Sequence, residues 1–171
     1  MTLWCLVAPG PSASAEDVAR VVSAGIPIGA VGNAFQLTES PAFIAAADAA
    51  WWRKYPEAKK LPGKKFSIHE VRDVGRIRVP GWSICNSGVL GLECAKREGA
   101  TKILLIGFDM HGTHFFGKYT NGLANTNEIK RRLHLKQYEN WASKNPEINV
   151  VNCTAGSALK SFPMGIIADF A

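Results

Sequence analysis

Apolar positions along this chain come in short runs cut by glycine and proline, and the runs alternate with stretches of helical period. "LWCLVA", residues 3–8, is one such run, closed by Pro9, Gly10 and Pro11, which is the profile of a buried strand. Ser14 then precedes Glu16 and Asp17, and Val18, Val21 and Val22 recur at helical spacing up to Gly25. That pattern predicts a helix with an N-cap and acids in its first turn. "IPIGAVG" predicts a second strand ending at Asn33, and "SPAFIAAADAAWWRKY" a helix after a Ser-Pro start. Residues 56–80 hold Pro56, Pro62 and Pro80 and no clear period, so they predict a long loop or small flap with at most one strand, at 66–71.

Regularity returns at "NSGVLGLECAKREGA", a predicted helix closed by Gly99 with Lys96 and Arg97 in its last turn. "KILLIGFDM" is the strongest strand, its four consecutive Ile/Leu residues asking for burial on both faces. Residues 111–126, rich in Gly, Thr and Asn, predict a loop. "NEIKRRLHLKQYENWASKN" predicts a helix with Ile129, Leu133, Tyr138 and Trp141 along one face. "INVVNCT" predicts a last strand and "SALKSFP" a short terminal helix. The alternation predicts one Rossmann-like α/β domain over 1–171, with a mostly parallel sheet, helices on both faces and a basic insertion at about 52–80. Ligands of such sheets bind beyond the carboxyl ends of the strands. The chemistry is therefore expected at Ala8–Ser12, Gly32–Asn33, Asp109–His114 and Asn152–Ser157, where the residues are small or polar.

An apolar fraction of 47% and a charged fraction of 20% in 171 residues are ordinary for a soluble globular chain. No apolar run approaches the ~20 residues that span a bilayer, and no basic segment precedes the first apolar stretch. Cytoplasm is the expected location. Cys5, Cys85, Cys94 and Cys153 form no CxxC pair and fit no zinc spacing, so they are expected as free thiols in a reducing compartment.

The net charge of +6 is unevenly placed. Residues 51–80 carry nine Lys/Arg against three acids, whereas residues 1–50 carry one against four. The segment is either a solvated loop or a surface for phosphates, and Trp51 and Trp52 beside it keep the second reading open.

Each candidate has a structural reading beside a chemical one. Gly10-Pro11-Ser12 is either a plain strand-to-helix turn or a backbone cradle for an anion at a helix N-terminus. Asn33 is either a turn former or a reader of base or ribose. Asn86-Ser87-Gly88 opens a helix and offers a second anion site or a simple cap. Asp109, with His111 and His114 after it, suits acid/base work, and D-x-H-x-x-H is no specific metal signature. His134, among Arg131, Arg132 and Lys136, reads first as part of a solvated face.

The order "GPS", then "GNAFQL", "NSGVLGLECAKREGATKILLIGFDM" and "INVVNCTAGSALKSFP" resembles the bacterial sialyltransferase-like superfamily. That superfamily includes the motility accessory factor glycosyltransferases and the 6-hydroxymethylpterin diphosphokinase family, and the chain is also similar to short tailed-bacteriophage proteins. The resemblance spans most of the chain except roughly 50–80. It implies nucleotide contacts at Gly10, Pro11, Ser12 and Asn33, donor contacts at Ser87 and Gly88, and further nucleotide contacts at Asn152, Thr154 and Ser157. It puts His111 and His114 where the family's tyrosines bind the leaving phosphate. The catalytic histidine of the sialyltransferases has no direct match, leaving His134 and His114 as substitutes.

The implied activity is transfer from a nucleotide sugar, with phage-encoded action on DNA or a surface glycan and the 52–80 segment holding the anionic acceptor. The alternatives are a non-catalytic nucleotide binder, or an ATP-dependent diphosphokinase with Mg²⁺ on Asp109. Base, acceptor and oligomeric state stay open.

Overall fold

A computed structural model of the chain describes residues 2–171. Its centre is β1 (Leu3–Val7) beside β6 (Lys102–Ile106), two apolar runs buried on both faces after a partly buried first residue. Around them lies one seven-stranded sheet, parallel throughout, completed by β2 (Ile28–Val31), β3 (Phe43–Ala45), β4 (Lys64–Ser67), β5 (Gly75–Arg76) and β7 (Asn149–Asn152). The strand order is 5-4-3-2-1-6-7. The chain winds outward from β1 to β5, then returns to the other side of β1. This Rossmann-like arrangement puts its switch point between β1 and β6, where a crevice opens beyond the strand ends.

Alternate residues of β1 face different layers. Trp4 and Leu6 meet α3 (Ser87–Arg97) and α4 (Glu128–Lys144), whereas Cys5 and Val7 meet Val18 and Val21 of α1 (Ala15–Ser23). A third cluster lies under α2 (Ala49–Lys54) and is built on Trp51, Trp52, Phe35 and Ile44. Ser14 caps α1 by accepting from the Asp17 amide, as its position ahead of two acids predicts. All four cysteines are free; Cys5, Cys85 and Cys94 are buried.

Five expectations are corrected. The helix predicted from Ser40 is a strand, β3, followed by the short α2: helix-forming alanines yield to pairing with β2 on a fully buried sheet. The flap predicted at 56–80 supplies β4 and β5, the edge of the main sheet. The edge strand is β5, only two residues long and ending in Arg76, and a short charged edge discourages further pairing. Asn33 lies inside a 3-10 turn, Gly32–Leu37, rather than at a strand end. "SALKSFP" is irregular, and the only helical turn after β7 is Ile167–Asp169. Finally, the apolar face of α4 splits. Tyr138 and Trp141 are buried, but Ile129 is 81% and Leu133 48% exposed, because the first half of the helix runs past the core.

Several cations of the basic segment are held by partners within the chain. Lys59 donates to the Arg72 carbonyl, Lys65 donates to the carbonyls of Leu61, Pro62 and Gly63, Lys64 pairs with Glu98, and Arg76 pairs with Glu70. Trp51 and Trp52 are packed into the core, so they form no exposed stacking platform. Among the described residues no helix is long and apolar enough to cross a membrane.

Candidate functional site

A cavity of about 470 Å³ opens at the switch point, within the range of small-molecule sites. Its floor is the ends of β1 and β6; its walls are the start of α3, the first half of α4, and the loop after β6. Of the residues singled out in the sequence, Gly10, Ser87, Gly88, Asp109, His111, His114 and His134 line it. Pro11, Ser12, Asn33, Asn152, Thr154 and Ser157 do not.

At the β1–α1 turn the anion is the protein's own. Asp109, only 3% exposed, accepts from the Ser12 hydroxyl at 2.9 Å and the Ser12 amide at 3.4 Å on one carboxylate oxygen. The Gly10 amide donates to the Gly107 carbonyl. A Cβ at position 10 would lie 2.0 Å from that same Asp109 oxygen, which is why the turn needs glycine. The donors expected to hold a nucleotide phosphate are thus engaged within the chain. Asp109 braces the turn through that one oxygen while lining the cavity. Among the described residues no three His, Cys, Asp or Glu side chains gather as a metal-holding group.

The third predicted cluster also turns inward. Thr154 accepts from the Phe108 amide, Ser157 donates to the Phe108 carbonyl, and Asn152 bonds to the Thr154 amide and the Leu159 carbonyl. These groups hold the end of β6 from behind the cavity. Asn33 is buried, and its carboxamide oxygen accepts from Trp51 Nε1 and the Tyr119 hydroxyl, both at 2.8 Å. It fixes two cavity walls without touching the cavity itself.

The start of α3 is built differently. Asn86 caps the helix by accepting from the Val89 amide, and the Ser87 hydroxyl accepts from the Ala47 amide. Gln137 of α4 accepts from the Asn86 amide and side chain through one oxygen and donates to the Ile84 carbonyl, fastening the turn to α4. The amides of Ser87 and Gly88 have no acceptor among the described residues, as the first turn of a helix requires. Both residues line the cavity.

The charged lining is mainly cationic. Lys118 and Lys130 line it with no ion pair among the described residues, and Arg131 bridges Glu128 and the Gly112 carbonyl. None of the cations of 52–80 reaches it. Asp48, at the start of α2, is the exposed carboxylate of the lining. His134 is held below its ordinary value near 6.5, first by burial, then by Lys130, with Asp48 acting in the opposite direction. Burial likewise lowers His114, whose ring stacks on Phe116. His111 is exposed and bonds to the Gly156 carbonyl.

Sequence reasoning missed Asp48, Lys118, Tyr119, Lys130, Gln137 and Tyr138 as cavity residues. For Asp48 a signal existed: it ends the apolar run "FIAAAD", and reading that run as a strand would have put the carboxylate at a strand end.

Fold and site together define a Rossmann-like α/β protein with a cationic cavity at its switch point. No family model, curated protein or solved structure matches the chain.

Proposed function

We propose that the protein binds a nucleotide or nucleotide sugar in the switch-point cavity and acts as a nucleotide-sugar-dependent glycosyltransferase of the sialyltransferase-like kind. The observation that carries the reading is the meeting, in one cavity, of unpaired cations at Lys118 and Lys130 with a histidine kept neutral at neutral pH. The cations suit the diphosphate or phosphate of a donor, and neutral His134 suits a general base. In the proposed step the acceptor hydroxyl gives its proton to His134 and its oxygen bonds to the anomeric carbon. The bond from that carbon to the donor phosphate breaks, and the departing oxygen keeps the electron pair beside Lys130 and Lys118. An anionic acceptor, DNA or glycan, would approach over the exposed face of α4, where Arg132 and Lys136 lie, rather than over 52–80. The diphosphokinase alternative is less well supported, since its metal carboxylate, Asp109, is engaged with Ser12.

The test is binding of CMP, UMP, GMP and AMP and their sugar conjugates by calorimetry, with product formation followed on labelled donors. Lys130→Ala is expected to weaken donor binding about tenfold. His134→Ala is expected to leave binding within about twofold while turnover falls at least about a hundredfold. Absence of binding for every nucleotide would refute the reading.

A further inference from the structure

Tyr138 is 3% exposed, yet its hydroxyl makes no hydrogen bond to any described residue. Its ring is gripped edge-on by Phe108 and Phe162. The hydroxyl reaches the lining of the cavity against the first turn of α3, where a Cβ on Gly88 would lie 1.8 Å from it. Glycine at 88 therefore leaves room for this phenol, and the phenol sits beside the two open amides of Ser87 and Gly88. The hydroxyl opens onto the cavity and has no partner among the described residues, whereas phenylalanine would fill the same aromatic slot without placing a donor there.

We propose that the Tyr138 hydroxyl and the amides of Ser87 and Gly88 form one seat for a phosphoryl oxyanion, with Tyr138 as a ligand-binding residue. All three groups can donate and the two amides can only donate, so the seat favours an anionic oxygen over an ammonium group or a metal ion. Burial pushes the phenol well above its usual range, so it stays protonated and donating at any physiological pH. The helix dipole adds to the attraction, and α3, with eleven residues, is long enough to supply it. Gln137 keeps the turn in place by holding Asn86 from the adjacent position on α4. The seat rests on the reading above for the identity of its ligand, a nucleotide phosphate, but its chemistry applies to any phosphoryl group.

The experiment compares the full chain with Tyr138→Phe, using inorganic phosphate, inorganic pyrophosphate and the nucleoside monophosphates as probes, beside thermal unfolding without ligand. The expected result is a loss of affinity of about tenfold or more in the variant, with Tm unchanged or raised. Binding within twofold of the original chain overturns the seat while leaving the nucleotide reading standing. A clear fall in Tm accompanying weaker binding also overturns it, because the hydroxyl would then serve the fold. If the original chain takes the inorganic anions but no nucleotide, and the variant loses them, the seat holds and the nucleotide reading fails. If the original chain binds no probe at all, both fail.

Discussion

Two turns in this protein are built from the same materials and end in opposite states. The β1–α1 turn, Gly10-Pro11-Ser12, and the start of α3, Asn86-Ser87-Gly88, each join a glycine and a serine on the way into a helix, the first just ahead of the Ser14 cap of α1 and the second in the first turn of α3. At the first, Asp109 comes from the loop after β6, fills the turn and takes both donors of Ser12. At the second, Asn86 satisfies only the Val89 amide, and those of Ser87 and Gly88 face the cavity beside an unpartnered phenol. A carboxylate tethered in the same chain competes for a backbone anion site at high effective concentration, so a free anion displaces it only by binding more tightly. The lesson concerns strand ends: in a parallel sheet, neighbouring strand ends lie close enough to close one another's turns.

The largest effect expected from this contrast comes from the two glycines. Gly10→Ala sets a Cβ 2.0 Å from the Asp109 carboxylate and 2.2 Å from the Gly107 carbonyl, which is backbone and cannot swing away. It is expected to cost about 3 kcal/mol or more in urea unfolding. Gly88→Ala meets only side chains, the Tyr138 hydroxyl at 1.8 Å with its Cζ at 2.9 Å, and Phe108 Cε1 at 3.0 Å. Its cost is expected nearer 1–2 kcal/mol, and adding Tyr138→Phe should recover part of it. Equal costs for the two glycines, or no recovery in the double variant, would break the contrast.

Next in size is removal of the internal anion. Asp109→Ala strips Ser12 of its acceptor and is expected to destabilise by about 2 kcal/mol, the scale of a hydrogen bond to a charged group. If the turn is an anion site filled from within, formate should restore part of the lost Tm in the variant and do nothing for the original chain. An equal response to formate and chloride would mean that the turn has no anion preference.

What could be read from the sequence follows the same division. The strands at β1, β2, β6 and β7, and the helices α1, α3 and α4, were legible because their apolar periods are set by burial within each segment. β3 was not: the alanines of "FIAAADAAWW" favour helix, and pairing with β2 makes Phe43–Ala45 a strand. Which strand ends carry chemistry was partly legible, since Gly10, Ser87, Gly88, Asp109 and three histidines do line one cavity. Which donors stay open was not. Nothing local to Ser12 announces that Asp109 will reach it, and nothing local to Tyr138 shows that its hydroxyl lies against Gly88. Both facts belong to residues far apart in the chain, brought together by the return of the sheet across β1.

The smallest expected effect is electrostatic, and it distinguishes the two turns by their histidines. His134 lies one helical turn before Tyr138 on α4, whereas His114 belongs to the loop whose Phe115 amide bonds to the Pro9 carbonyl beside the first turn. Both are lowered from an ordinary value near 6.5, chiefly by burial. The unfolded chain therefore takes up protons at a higher pH than the folded one. Stability should fall as pH drops below about 6.5 and level off below the folded values, with a shallower slope in His134→Gln. A phosphoryl group seated at α3 adds negative charge near His134 and opposes the effects of burial and Lys130. Bound phosphate should then raise the His134 titration, followed by NMR of the ring protons, and move His114 less. The reverse order would put the anion at the β1–α1 turn after all, and with it the nucleotide that Gly10, Pro11 and Ser12 were first expected to hold.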